Sequence, residues 1–188
     1  ACTPKQTVLR LDVSQGMLDC HKSTSPSQLW NLNQGLPKWS RTPNLIASSF
    51  ALQWLNNPSK CLEEWFSTLS PEGYLAIAIP IEGSFPQWQF ASKKAGVKCT
   101  AMPLPTKESL LQPFSPGCIR FEQVLSFTQI ANNVPSLFKS IRKIGAKATP
   151  NPPLGIKSWR EINRYWPRRH NDEITQLTWL IQILLIQR

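Results

Sequence analysis

The sequence predicts a single α/β domain built on a mostly parallel β-sheet. Short, continuous apolar runs alternate with helical patterns, which is typical of strands covered on both faces. The chain has 188 residues, of which 41% are hydrophobic, and this is enough for one buried core. We therefore predict one domain over residues 1–188.

Four apolar runs predict the strands of the first half of the chain: residues 7–12, 29–32, 44–49 and 74–79. Serines mark the helices between them. Ser14 is expected to cap a short helix, and Ser59 is expected to cap a longer one over residues 60–69. The segment 70–73 has the composition of a turn. This order of strand and helix is that of repeated βα units.

The second half continues with a helix at 85–96, a loop with one or two helical turns at 105–114, a strand at 119–127, helices at 134–144 and 158–165, and a strand at 174–186. Ser158 is the expected cap of the second of the two late helices. Because both helices lie between the last two strands, we expect residues 131–167 to form a helical lid inserted over the sheet.

Ligands of open α/β sheets bind outside the carboxyl ends of the parallel strands. The residues at those ends are Asp12, Ser48, Ser49 and Pro80. We expect a binding cleft there.

The cysteines and histidines do not form a metal-binding pattern. None of the five cysteines belongs to a C-x-x-C pair, and His21 and His170 have no partner at ligand spacing. We therefore expect no metal and a reduced, cytoplasmic setting. The longest apolar stretch, 174–186, is shorter than the roughly 20 residues that cross a bilayer, so we expect no membrane association.

The chain is basic, with 21 Lys and Arg against 11 Asp and Glu. Residues 139–188 hold ten basic and three acidic residues, so the excess is concentrated at the predicted lid. A basic surface of this kind favours an acidic partner. A solvated basic face without a partner is the alternative.

Three segments resemble class I S-adenosylmethionine-dependent methyltransferases. The L-D-V-S-x-x-M-L sequence of residues 11–18 resembles the end of the family's second strand. Residues 48–54, S-S-F-A-L-Q-W, resemble the end of its fourth strand, and residues 69–75, L-S-P-E-G-Y-L, the turn into its fifth. The resemblance implies a Rossmann-like sheet.

Further segments are similar to the malonyl-acyl-carrier-protein O-methyltransferases of biotin synthesis. They are A-L-Q-W at 51–54, G-S-F-P at 83–86, S-I-R-K-I-G-A at 140–146 and Y-W-P at 165–167. This resemblance implies S-adenosyl-L-methionine as methyl donor and a malonyl group on an acyl carrier protein as substrate. A carboxylate is ionised at neutral pH, so no general base and no catalytic side chain are expected.

The sequence departs from the family pattern at its beginning. The family has a first strand and a Gly-rich loop there, whereas the only glycine before residue 35 is Gly16. We expect an N-terminally incomplete sheet, in which residues 7–12 either pair with residues 45–49 or pack loosely. Because strand edges would then be unpaired, we expect a melting temperature below about 55 °C.

Roles for individual residues follow from the resemblance. Asp12, Met17, Ser48 and Ser49 are the expected cofactor-binding residues, with Asp12 accepting hydrogen bonds from the ribose hydroxyls. For Met17 a position in the core is the alternative. For Asp12 and the two serines the alternative is that they only end a strand.

Substrate and partner contacts are expected in two other regions. Gln53 and Trp54 would contact the substrate, and Arg142 would anchor the malonyl carboxylate with its planar guanidinium. Trp54 as a core residue and Arg142 as a solvated residue are the alternatives. The expected contacts with the acyl carrier protein are Lys139, Lys143 and Lys147.

Two other functions remain open at this point. Basic and aromatic residues are interleaved in 159–169, which is one feature of nucleic-acid-binding proteins, although no motif of a known nucleic-acid-binding class is present. The second alternative is a methyltransferase remnant without catalytic activity. Binding of S-adenosylhomocysteine separates the remnant from the enzyme.

Overall fold

The computed structural model describes residues 8–20, 25–143, 152–168 and 174–188. No helix in these ranges combines the length and the apolar character of a membrane span. The strands are β1 (Arg10–Asp12), β2 (Ser27–Leu29), β3 (Leu45–Ser49), β4 (Tyr74–Pro80), β5 (Ile119–Ala131) and β6 (Thr175–Gln187). The α-helices are α1 (Gln15–Asp19), α2 (Pro58–Thr68), α3 (Pro86–Lys94), α4 (Lys107–Leu111), α5 (Val134–Lys143) and α6 (Ile156–Arg164).

Four strands form a mixed sheet in the order β3-β4-β6-β5. β3 and β4 are parallel, as the βα pattern predicts, with Leu45 opposite Tyr74. β6 runs antiparallel to both of its neighbours, β4 and β5. The α/β class is therefore confirmed, and the parallel character is limited to the first half of the chain.

β1 and β2 form a separate parallel pair, with Arg10 opposite Ser27 and Asp12 opposite Leu29. The expectation that residues 7–12 pair with β3 is wrong, because β1 takes β2 as its partner instead. The strand predicted at 29–32 is displaced as well. Residues 32–34 form a 3₁₀ turn, and the strand spans Ser27–Leu29, so it overlaps the predicted strand only at Leu29.

One face of the mixed sheet packs against α2 and α4. Leu62 and Trp65 of α2 are buried against a cluster that includes Leu75, Ile77 and Leu184. The strand residues alternate along β4, so every second side chain points into this cluster. This cluster is the main hydrophobic core.

The opposite face is covered mainly at one end, by α3, α5 and α6. Trp179 and Leu177 of β6 are buried there together with Phe85 and Leu137. Farther along the same face, Tyr74 is 37% exposed. The prediction that β4 is covered on both faces is therefore correct for one face only, because the described helices do not extend over the whole of the other.

Two helix caps differ from the prediction. The N-cap of α2 is Asn57, whose Oδ1 accepts a hydrogen bond from the Lys60 amide, and Pro58 occupies the first helical position. Ser59 lies inside the helix and donates its hydroxyl to the Ser109 carbonyl. In α6 the N-cap is Gly155, so Ser158 is also internal.

The turn before β4 is confirmed and depends on Gly73. Its amide donates to the Ser70 carbonyl at 2.9 Å. A Cβ atom at this position would lie 2.8 Å from the same carbonyl oxygen and 3.2 Å from that of Asn44. Glycine is therefore required by the close approach of two backbone segments, and the turn fixes the start of β4 beside β3.

Candidate functional site

The segments that follow β2 and β3 meet at one edge of the molecule. The backbone amide of Asn56 donates to Oδ1 of Asn33 at 2.9 Å. Leu32 and Leu36, which follow β2, pack against the main core together with Leu55. These contacts attach the small sheet to the large one on the side where the parallel strands end.

Asp12 is the last residue of β1, and it is half-buried. Its Oδ1 accepts a hydrogen bond of 2.8 Å from the Ser14 amide. Its backbone carbonyl accepts another from the amide of Trp30, just after β2. Within the described residues Oδ2 has no hydrogen-bond partner. The carboxylate is thus held by one oxygen, and the other can accept a bond from a ligand.

The short helix α1 follows directly. Ser14 is its N-cap, as predicted, with its Oγ accepting from the Met17 amide. Leu18 is the residue that α1 buries, whereas Met17 is 41% exposed. The alternative reading of Met17 as a core residue is therefore wrong, and its thioether is accessible beside the end of β1.

Ser48 and Ser49 end β3, with their side chains on opposite faces of the sheet. Ser48 is half-buried, and its Oγ has no hydrogen-bond partner in the described part of the chain. Ser49 is exposed on the same side as Leu45 and Ala47. The two hydroxyls therefore cannot line one surface together, and Ser48 is the one that needs a partner.

The segment after β3 turns sharply at Phe50, whose φ of 54° lies in the left-handed region. Gln53 is buried, and its Nε2 donates to the Phe50 carbonyl at 2.8 Å. Its Oε1 has no partner within the described ranges. Trp54 is half-buried, in the 3₁₀ turn 52–54. Gln53 thus stabilises the turn and keeps one acceptor unsatisfied.

A second strained phenylalanine stands near the end of β4. Phe85 has a φ of 63°, and its ring packs edge-on against Trp179 at a centroid distance of 4.5 Å. Phe50 reaches the same tryptophan from the end of β3, at 6.0 Å. Left-handed backbone at a bulky residue is uncommon and concentrates at functional sites. Neither residue was predicted, since no sequence signal marks a left-handed phenylalanine.

An open pocket of about 280 Å³ lies beside the segment that follows β4. Its walls include Glu82, Ser84, Gln89, Cys99 and Met102. None of the predicted cofactor or substrate residues lines it. Its position after a strand end agrees with the rule for open α/β sheets, but the sequence analysis identified only Pro80 at this end.

The helices α5 and α6 are fixed to α3 by an aromatic cluster. Phe138 of α5 packs against Trp88 at 4.6 Å and against Trp159 of α6 at 5.0 Å. Trp166 is buried, and its Nε1 donates to the Gln176 carbonyl. Both tryptophans of the 159–169 segment are thus packed inside. Of the aromatic residues in this segment, only Tyr165 is exposed and could stack on a nucleic-acid base.

The predicted basic contacts are described only in part. Lys139 is exposed on α5. Arg142 and Lys143 lie in the last turn of the same helix, and Lys147 lies outside the described residues. Three further cations are exposed on α6, namely Lys157, Arg160 and Arg164. Their spacing places them along one side of the helix.

Few titratable groups in the described ranges are perturbed. Burial raises the pKa of the Cys61 thiol, and the neighbouring Glu64 carboxylate adds to this effect, while Lys60 opposes it. The hydrogen bond to Glu122 raises the pKa of Lys107. Neither group lies at the strand ends, so the site consists of a carboxylate, hydroxyls and aromatic rings.

The first part of the chain is similar to a known protein family. A family profile described as a methyltransferase domain matches residues 2–77. This range contains β1 to β3 and most of β4, and therefore includes Asp12, Ser48 and Gln53.

Curated proteins extend the similarity toward the C-terminus. The malonyl-[acyl-carrier protein] O-methyltransferase of Marinomonas sp. is 21% identical over 158 residues, which are 81% of this chain and 58% of that protein. The protein of the same name from Alcanivorax borkumensis is 22% identical over 80% of this chain and 53% of its own length. The biotin biosynthesis bifunctional protein of Bordetella avium is 27% identical over 67% of this chain and 27% of its own length. The chain thus spans little more than half the length of these relatives, or less.

Solved structures agree on the fold. A Bacillus halodurans protein assigned to the methyltransferases superposes with a TM-score of 0.59 over 97% of this chain and 83% of its own, at 9% identity. The YcgJ protein of Bacillus subtilis superposes with a TM-score of 0.56 over 97% of this chain and 81% of its own, at 11% identity. At such identities the likeness concerns the arrangement of strands and helices.

Proposed function

We propose that this chain, which has the class I methyltransferase fold, binds S-adenosyl-L-methionine and acts in methyl transfer to a malonyl carboxylate. The malonyl group would be carried as a thioester on an acyl carrier protein, in the synthesis of a biotin precursor. The observation that carries the proposal is the similarity to malonyl-acyl-carrier-protein O-methyltransferases over about four fifths of the chain. The strand-end position of Asp12 supports it independently.

The residues at the end of β1 suit the adenosine part of the cofactor. Asp12 has one carboxylate oxygen held by the Ser14 amide, and its other oxygen, which has no partner among the described residues, would accept a bond from a ribose hydroxyl. Met17, exposed on the adjoining helix, offers an apolar, polarisable contact for the adenine ring. S-adenosyl-L-methionine, when bound, supplies a methyl group on a positively charged sulfur.

The end of β3 would form the next part of the site. The half-buried Ser48 has an unpartnered hydroxyl and can donate to or accept from the cofactor. Ser49 lies on the other face of the strand, so its exposed hydroxyl would not share the ligand surface of Ser48. The strained turn at Phe50, fixed by Gln53, determines the direction in which the chain leaves β3.

The substrate requires orientation rather than proton transfer. A malonyl carboxylate is ionised at neutral pH, so no side chain needs to remove a proton from it. Gln53 would direct its unsatisfied Oε1, or Trp54 its ring, toward the substrate, and Arg142 would bind the carboxylate with two parallel hydrogen bonds. Catalysis would depend on alignment and on exclusion of water by α5 and α6.

The carrier protein would bind on the outside of the same helices. Lys139 on α5 and the cations of α6 are exposed. Together with Lys143 and Lys147 they would form one basic surface. Complementary charge accelerates the encounter of such a surface with an acidic partner. The proposed lid would therefore both cover the substrate and attract its carrier.

Calorimetric titration with S-adenosylhomocysteine tests the proposal. We expect saturable binding of one S-adenosylhomocysteine molecule per chain. In a separate assay with S-adenosyl-L-methionine, we expect methyl transfer to malonyl carrier protein. Absence of binding at ligand concentrations of about 1 mM would contradict the cofactor assignment. Binding without methyl transfer to malonyl, succinyl or free malonate substrates would favour the remnant without activity.

A further inference from the structure

The strand β5 is an exposed edge of the mixed sheet. It pairs with β6 on one side, with a shift of register at Arg120, and within the described ranges no strand pairs with its other side. Almost every residue of β5 is exposed. Its outer edge therefore presents a row of unpaired backbone amides and carbonyls.

The side chains of β5 are unusually apolar for such an edge. Phe121, Leu125 and Phe127 project from one face, and Val124 and Ile130 from the other. Phe127 is 56% exposed and Ile130 is 64% exposed. Edges of natural sheets are commonly protected by lysine, proline or a bulge, whereas residues 121–131 contain no lysine and no proline, and their register is continuous.

The two charged side chains of the strand already have partners within the chain. Arg120 donates from Nε to Oε1 of Gln187 at 2.7 Å. Glu122 forms an ion pair of 2.6 Å with Lys107, on the segment before the strand. Residues 123–131 carry no charge, although the chain as a whole has a net charge of +10. An acidic partner would therefore find no complementary charge along residues 123–131.

We propose that β5 is the contact surface of a homodimer, in which two copies pair antiparallel along this edge about a twofold axis. An isologous contact of this kind lets the same backbone groups of each copy satisfy those of the other. The uncharged stretch 123–131 is the place where two chains of charge +10 meet with least repulsion. The result is one continuous sheet of eight strands.

The length of the strand is sufficient for a stable contact. Thirteen residues extend about 43 Å. A stripe of that length and roughly 15–20 Å wide has an area of about 650–850 Å², near the amount that each partner contributes to a standard interface. The exposed phenylalanines would supply the apolar part of the buried surface.

Sedimentation equilibrium of the full chain tests the dimer. We expect a species of twice 21.3 kDa with a dissociation constant below about 10 µM. Val124→Lys and Leu125→Lys place a charge on opposite faces of the strand, and each should weaken association about 100-fold. Ile156→Lys, at a position 74% exposed on α6, is the control and should remain dimeric.

Three results would overturn the proposal: a monomer at about 100 µM, a dimer that survives both lysine variants, or loss of association in the Ile156→Lys control. Hydrogen exchange provides the second measurement, because it does not require a variant to fold. Those amides of residues 121–130 that point away from β6, which are every second one, should exchange more slowly as protein concentration rises. Equal exchange at all concentrations would exclude β5 from the contact. This test is independent of cofactor binding.

Discussion

The backbone amide of Asn56 donates a hydrogen bond to the side-chain oxygen of Asn33 over 2.9 Å, joining the segments that follow β2 and β3. The two residues follow strands of different sheets, and these sheets share no strand pairing in the described ranges. The bond is therefore one of the few directed contacts that hold the end of the small sheet against the large one. It also defines the edge where the proposed cofactor would lie.

We predict that Asn33→Ala lowers the free energy of unfolding by about 1 kcal/mol, because the Asn56 amide loses its acceptor. Urea denaturation followed by circular dichroism measures the change. Gln34→Ala, at an exposed position of the same 3₁₀ turn, is the control and should leave stability unchanged. Equal stability of both variants and the parent would show that the bond does not contribute.

Asp12→Asn should weaken S-adenosylhomocysteine binding at least tenfold. The amide retains one oxygen, but it replaces the charged carboxylate with a neutral group whose second atom is an NH2 that only donates hydrogen bonds. The matched control is Asp19→Asn, which changes the same charge at an exposed carboxylate of α1 that bonds Gln15. Isothermal titration of the three proteins decides the question, and equal affinities would remove Asp12 from the site.

Charge reversal on the helices should weaken carrier binding. The variant Lys139→Glu, Lys143→Glu, Lys147→Glu is expected to bind malonyl carrier protein at least tenfold more weakly, with a smaller dependence on salt. The control reverses three exposed lysines elsewhere, at Lys38, Lys93 and Lys98, and makes the same change in net charge. If both variants lose affinity equally, net charge rather than a defined surface attracts the carrier.

The fold could be predicted where local pattern and tertiary packing agree. β4 and β6 are long apolar runs, and the structure places both in the centre of the sheet. β2 is different, because its three residues, S-Q-L, have no strand pattern and become a strand only by pairing with β1. The cap of α2 was predicted wrongly for another reason. Asn57 and Ser59 are both capping residues, and Pro58 decides between them.

Only part of the candidate site could be predicted from the sequence. Asp12 follows from the rule that ligands bind where parallel strands end, and the structure leaves one of its oxygens available. The left-handed backbone at Phe50 and Phe85 could not be predicted, since phenylalanine carries no signal for it. The opposite orientation of Ser48 and Ser49 was available from strand alternation, which shows that strand ends must be interpreted one face at a time.

The cysteines should differ in reactivity. Burial raises the pKa of Cys61, so its thiolate forms only at higher pH, whereas Cys20 is exposed. We expect iodoacetamide at pH 8 to modify Cys20 several times faster than Cys61, with the rate for Cys61 rising as pH increases. Because the folded chain retains this proton more strongly, the associated stability is complete below the pKa of the unfolded thiol and decreases above it. Peptide mass spectrometry measures both rates, and denatured protein, in which the difference should vanish, is the control.

Gln182 is a polar residue in the main core. It is fully buried opposite Ile79, and neither atom of its amide has a hydrogen-bond partner among the described residues. Gln182→Met keeps the length of the side chain and removes the unsatisfied groups, so it should raise the free energy of unfolding by about 1–2 kcal/mol. Gln176→Met, at a half-buried position of the same strand, is the control and should change stability little. Chemical denaturation of both variants gives the values. A loss of stability in Gln182→Met would show instead that the amide has a partner in solution, such as a buried water molecule.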